Sequence, residues 1–228
     1  MKNLVIFTGA GISAQSGLKT FRDSNGLWEG HRIEEVASPE GFENNPEKGL
    51  HFYNLRRLQL GEVKPNQSHR LCAKLENHFK VNVITQNVDD LHERAGSSSV
   101  THLHGELRKV KCIADCFKND IKYDVLQIGD CCPNGHQLRP DIVWFGEEVP
   151  AMDVAIDISE QADIFVVIGT SLQVFPAASL VHFAKNAKKF IIDPNHHSEM
   201  ANNQITVINK DAVSGTEELY QKLLRFVK

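Results

Sequence analysis

Three short polar strings carry side chains suited to chemistry. Thr8-Gly9-Ala10-Gly11-Ile12-Ser13-Ala14 follows the apolar run Leu4-Val5-Ile6-Phe7. Its Gly-x-Gly-x-x-Ala spacing is that of a strand-to-helix turn whose glycines let backbone amides approach a pyrophosphate. A dehydrogenase would place an acid at the end of a second strand about twenty residues on. Here that stretch is Phe21-Arg22-Asp23-Ser24-Asn25-Gly26, a polar loop suited to covering a bound nucleotide. Gln86-Asn87-Val88-Asp89 follows the apolar segment Val81–Thr85. Two amides and a carboxylate beyond the carboxyl end of a strand can bind ribose hydroxyls or a carboxamide. Asn87 or Asp89 can also cap a helix over Asp90–Ala95. His104, between a strand end and Gly105, is a candidate base. His102, two residues earlier on the same strand face, competes with it.

Further strings supply ligand and recognition chemistry. Cys112-Ile113-Ala114-Asp115-Cys116 and Cys131-Cys132-Pro133-Asn134-Gly135-His136 read as an irregular zinc ribbon. Cys112 and Cys116 would hold one side of a structural zinc ion, and Cys131 with Cys132 or His136 the other. Gly169-Thr170-Ser171 ends the apolar run Ile164–Ile168, where hydroxyls suit phosphate contact or simply a helix start before Pro176. Tyr53 and Arg56 lie one turn apart on the helix-like stretch Leu50–Leu60. A phenol beside a guanidinium can receive a carboxylate; a solvated Arg beside a half-buried Tyr would leave the same trace.

The elements that must position these residues alternate. Strands are expected at Leu4–Thr8, Val81–Thr85, Val100–Leu103, Ile142–Phe145, Ile164–Gly169, Phe190–Asp193 and Ile205–Ile208. Helical spacing appears at Ala177–Asn186 and Thr216–Phe226. The pattern predicts an α/β, Rossmann-like, doubly wound parallel sheet. Residues 31–69, helical and punctuated by Pro39, Pro46 and Pro65, and the cysteine-bearing residues 107–141 interrupt it. These two insertions, one helical and one zinc-ribbon-like, are expected to form a smaller lobe. The larger, nucleotide-binding lobe would comprise residues 1–30, 70–106 and 142–228 of a single catalytic domain.

With 228 residues, 41% hydrophobic and 24% charged, the chain has an ordinary soluble composition. A net charge of -4 gives no basic field for nucleic acid or anionic lipid. Its apolar runs are too short for a bilayer and no secretory signal pattern is present. Neither nucleic acid nor membrane is an expected partner, and a cytoplasmic location is expected. Cysteines clustered in such a chain favour metal over disulfides.

Taken together, the strings resemble the sirtuins, the NAD-dependent protein-lysine deacylases. The matching residues are Gly9–Ser13, Phe21-Arg22, Thr85–Asp89, His104-Gly105-Glu106, Arg139–Glu147 and Gly169–Leu172. Phe52-Tyr53-Asn54-Leu55-Arg56 is similar to the bacterial class III branch, in which a Tyr-x-x-Arg pair accommodates acidic acyl groups such as succinyl. The resemblance implies NAD as co-substrate and acyl-lysine proteins or peptides as partners. It places Gly9, Ala10, Gly11 and Ile12 along the pyrophosphate, and Phe21 and Arg22 in a cofactor loop. Gln86, Asn87 and Asp89 would line the ribose and nicotinamide pocket, with Asn87 taking part in catalysis. Gly169, Thr170 and Ser171 would contact the adenosine half, with Asp193 near its ribose. His104 would be the base. Val143, Trp144 and Phe145 would pair with the substrate backbone, while Tyr53 and Arg56 would hold the acyl group. The implied products are lysine, nicotinamide and O-acyl-ADP-ribose. ADP-ribosyl transfer, NAD hydrolysis and nucleotide sensing without turnover are the alternatives on the same scaffold.

Overall fold

A computed structural model describes residues 1–18, 27, 28, 30–195 and 204–227. Phe21 and Arg22 lie outside the described residues. The strands are β1 (Asn3–Thr8), β2 (Leu27–Trp28), β3 (His31–Arg32), β4 (Lys80–Thr85), β5 (Val100–His102), β6 (Gly105–Cys112), β7 (Lys118–Asp120), β8 (Leu138–Ile142), β9 (Ile164–Ile168), β10 (Lys188–Ile192) and β11 (Ile205–Ile208). The helices are α1 (Ile33–Val36), α2 (Pro39–Asn44), α3 (Pro46–Glu62), α4 (Gln67–Lys74), α5 (Leu91–Ala95), α6 (Met152–Glu160), α7 (Leu180–Phe183) and α8 (Ala212–Leu223).

Six strands form one parallel sheet in the order β11-β10-β9-β1-β4-β5. β1 and β9 are apolar on both faces because both faces are covered. Leu4, Ile6, Val166 and Ile168 point into one core with α4 and α8 residues such as Leu71 and Leu219. Val5, Phe7, Phe165 and Val167 point into the other with Leu180 and Val181 of α7. Each such side chain, fully buried, contributes roughly 1.5–3 kcal/mol. The strand order reverses between β9 and β1, so the crevice beyond Thr8 and Ile168 is the place where open α/β sheets bind ligands. Cys72 is packed inside the first core, far in sequence from the other cysteines. No helix among the described residues is long and apolar enough to cross a membrane.

A third core joins the two insertions. Phe42, Phe52, Tyr53 and Leu60 from the helical segment pack with Leu107, Val110, Leu126, Ile142 and Trp144. Behind them β7-β6-β8 forms a small antiparallel sheet. The expected strand Ile142–Phe145 is therefore corrected: β8 ends at Ile142, and it pairs antiparallel with β6 rather than joining the main sheet. Its polar residues hid it. Arg139 is buried because it pairs with Glu147, and Asp141 because it meets Lys118.

The α-helix expected after Gly9 is also absent. Two 3₁₀ turns, Ala10–Ile12 and Ala14–Ser16, stand there. Asn66 Nδ2 donates to the Ile12 carbonyl at 2.7 Å, taking an acceptor that helix propagation would need. Gly17, at φ 100°, then ends the second turn in the left-handed region.

Candidate functional site

The ends of β1, β4 and β9 meet through backbone. Gly9 N donates to Ile168 O and Gly11 N to Gly169 O, at 3.1 and 2.9 Å. A Cβ on Gly11 would lie 2.7 Å from Gly169 Cα, and one on Gly169, at φ 64°, would lie 2.4 Å from Ile12 N. These glycines let two loops touch main chain to main chain. Ile12 N and Ser13 N are spent inside the turn. Among the described contacts of Gly9–Ser13, the Ala10 amide is the donor left for a ligand.

The β4 end crosses this junction. Asn87 is 8% exposed, and its Nδ2 donates to Gly9 O and Ser13 Oγ, each at 3.2 Å. Ser13 Oγ donates to Asp89 Oδ2 at 2.9 Å, while Asp89 Oδ1 accepts from Leu91 N at the start of α5. Asp89, one residue before the N-cap Asp90, thus meets the first amide of α5 and joins the cleft network. Burial pushes its carboxyl up to about 6. Gln86 Nε2 donates to Thr170 Oγ1 at 3.0 Å, tying β4 to β9. Asp193 is buried and accepts from Asn195 N and Nδ2, at 2.8 and 2.9 Å.

The two histidines differ. His104 Nδ1 lies 3.0 Å from the Gln86 carbonyl. A carbonyl only accepts, so Nδ1 carries the proton and Nε2 presents the lone pair a base requires. Burial lowers its pKa, partly offset by that carbonyl. His102 is gripped at both nitrogens, by Asn87 O at 3.0 Å and Glu93 Oε1 at 2.8 Å. It therefore offers no lone pair to a substrate.

Val143 N donates to His104 O, and Phe145 N to Ala37 O, so this segment bridges His104 and the helical insertion. Phe145 is 52% exposed, whereas Trp144 is turned inward. Its Nε1 donates to Tyr53 Oη at 2.8 Å, and the Arg139 guanidinium stacks 3.8 Å from the centroid of its ring system. The Trp144 side chain thus supports Tyr53. Arg56 is half-buried, 5.1 Å from the Phe52 ring centroid.

Cys112, Cys116, Cys132 and His136 bring their ligand atoms within 4.8 Å of one another. Cys116 Sγ is 3.0 Å from Cys112 Sγ, 3.9 Å from Cys132 Sγ and 3.5 Å from His136 Nδ1. Three thiolates and one imidazole suit a tetrahedral structural zinc ion with no open position. Cys131 is a correction. It pairs with Gln137 in a β-bridge and is exposed, while its neighbour Cys132 is buried on the ligand side. Adjacent residues of an extended segment face opposite ways, so only one of the pair can be a ligand.

Sequence reasoning missed the residues behind the cleft. His69 Nδ1 meets Asn66 Oδ1, and its Nε2 faces Ser13 Oγ. His92 Nε2 meets Thr8 Oγ1, which donates to Thr85 Oγ1. Burial lowers the His69 pKa to about 4 and that of His92 well below the ordinary value, so both are neutral props. The sequence signals were slight: Asn66 before α4 reads only as an N-cap.

The Sir2 family model matches residues 9–176. A protein from Helicobacter pylori strain J99, called an NAD-dependent protein deacylase, is 54% identical over 98% of this chain and 96% of its own. A solved complex of a Sir2 homologue with NAD is 38% identical, with TM-score 0.89 over 100% of this chain and 91% of that one. A Sir2 variant solved with deacetylated p53 peptide and 3'-O-acetyl-ADP-ribose is 31% identical, with TM-score 0.80 over 96% and 92%.

Proposed function

Since the chain belongs to the Sir2 family and is an NAD-dependent protein deacylase, we propose that it removes acidic acyl groups such as succinyl, as well as acetyl, from lysine. The observation that carries the reading is the Tyr53–Trp144 hydrogen bond. Accepting from Trp144 Nε1 holds the phenol oxygen in place. Arg56, one turn further along α3, supplies a guanidinium on the same helix face. On this reading the phenol and the guanidinium would together hold a carboxylate at the end of an acyl chain.

NAD supplies the electrophilic C1' and the nicotinamide leaving group. The Ala10 amide and the Gly9–Ile12 turn would face the pyrophosphate, with Gly169, Thr170, Ser171 and Asp193 toward the adenosine half. Asn87 and Asp89, locked through Ser13, would orient the nicotinamide ribose, with Gln86 beside them. Phe21 and Arg22 are proposed to contact the cofactor. The acyl oxygen would displace nicotinamide from C1', and the lone pair on His104 Nε2 would then take a ribose hydroxyl proton so that this oxygen attacks the resulting imidate carbon. Addition of water would release the lysine amine and leave the acyl group on ADP-ribose. Val143 and Phe145 would line the peptide strand, with substrates being acyl-lysine proteins.

Arg56→Met tests the specificity. A charge-assisted hydrogen bond is worth roughly 1.5–3 kcal/mol. The ratio of kcat/KM for succinyl over acetyl peptide should therefore fall at least about tenfold. An unchanged ratio refutes the acidic-acyl reading, while O-acyl-ADP-ribose in the products, seen by mass spectrometry, tests the transfer.

A further inference from the structure

We propose that His102 is a positioning residue, an imidazolium latch that ties Glu93 to the Asn87 carbonyl and so sets the Asn87 amide in the cleft. This rests on the reading above that Asn87 lines the nicotinamide and ribose pocket.

The geometry requires the charge. Asn87 O lies 3.0 Å from Nδ1 and Glu93 Oε1 lies 2.8 Å from Nε2. A carbonyl and an ionised carboxylate only accept. A neutral imidazole has one N–H and one lone pair, so one of the two contacts would set lone pair against lone pair. The cation satisfies both. The His102 side chain is 7% exposed, so water does not stand in for either partner. The groups around it agree. Glu93 comes from α5, and Glu106 from β6 with Lys109 paired to it. Asp89, from the segment between β4 and α5, and His92, from α5 itself, also interact with it. His104 lies two residues on and holds the Gln86 carbonyl. The two histidines thus grip consecutive carbonyls just past β4. Burial opposes the charge on His102, but Glu93, Glu106 and the Asn87 carbonyl outweigh it and raise the pKa. His104 is shifted the other way.

Deprotonation has a directed consequence. The proton facing Glu93 is held by the carboxylate, so Nδ1 is the site that loses its proton. The Asn87 carbonyl then meets a lone pair and is released. The latch is intact below the raised pKa and lost as pH rises through it. Activity should accordingly fall on the alkaline side, while the base His104 sets the acid side.

Glu93→Gln separates this from plain packing. The Gln amide can donate to Nε2, so a neutral ring keeps its Nδ1 proton on Asn87 O. The test measures kcat/KM for NAD against pH in the wild type, Glu93→Gln and His102→Ala, with 15N NMR of the histidine rings of the wild-type protein. We expect His102 doubly protonated at neutral pH, an alkaline fall in the wild type, and no such fall in Glu93→Gln. His102→Ala should lose about tenfold at neutral pH, the scale of one charge-assisted hydrogen bond. A singly protonated His102 at neutral pH overturns the proposal, as does the same alkaline limb in wild type and Glu93→Gln. An active Asn87→Ala would instead refute the pocket reading, and would do so with the ring signals of His102 unchanged.

Discussion

Asp89 holds a charge where the fold resists one, and the resistance is measurable. Its carboxyl is pushed up to about 6 by burial, against 3.8 when solvated. Between these values the folded state binds the proton that the unfolded state has released. Stability therefore falls as pH rises through this window and stays lower above it. The gap corresponds to about 3 kcal/mol, an upper figure for so enclosed a group. Asp89→Asn should remove the charge while keeping the present partners. Its oxygen can still accept from Leu91 N, its amide can donate to Ser13 Oγ, and the Ser13 proton can turn to His69 Nε2, 3.4 Å away. The variant should match the wild type in stability below about pH 4 and exceed it by up to about 3 kcal/mol above pH 6. For a chain of this length that is on the order of 5–10 °C in Tm. Thermal or urea unfolding of both proteins over the pH range checks it, and using the difference cancels the histidines that also titrate. Deacylation should fall at least about tenfold, because the carboxylate would no longer orient the ribose. A stability difference that does not change with pH, or a variant less stable at pH 8, refutes the reasoning.

His104→Ala should lower kcat by about two to four orders of magnitude while NAD binding, followed by calorimetry, stays close to wild type. A loss no larger than that of His102→Ala would contradict the tautomer argument. In the metal site, His136→Ala should reduce bound zinc and lower Tm, whereas Cys131→Ser should change neither; metal analysis with thermal unfolding reads both. A loss of zinc in Cys131→Ser would restore Cys131 as a ligand.

What could be read from the sequence followed the reach of its patterns. β1, β4 and β9 are legible because a strand buried on both faces is one unbroken apolar run. Gly9, Asn87, His104 and Gly169 are legible because a site at strand ends collects its polar groups just past such runs. β8 was misread because Arg139 and Asp141 are buried with partners that no local pattern shows. The expectation that Cys131 is a ligand beside Cys132 or His136 fails for a related reason: strand alternation allows only one of the adjacent cysteines, and Gln137 across the bridge decides which. The props behind the cleft were out of reach entirely. His69 meets Ser13 across 56 positions and Trp144 meets Tyr53 across 91.

The same distinction explains why two histidines so close in sequence were not separable there. His102 ends β5 and His104 follows two residues later, and both reach a backbone carbonyl of the segment after β4. What divides them is the second nitrogen. Glu93, brought up by α5, occupies that of His102. Nothing among the described contacts occupies that of His104, whose burial also keeps the ring neutral. A ring held by acceptors on both sides is a cation and can only hold. A ring held on one side keeps a lone pair fixed in direction, and that is what proton abstraction needs. The assignment of roles therefore lies in α5, a five-residue helix whose placement depends on Asp89 at its start.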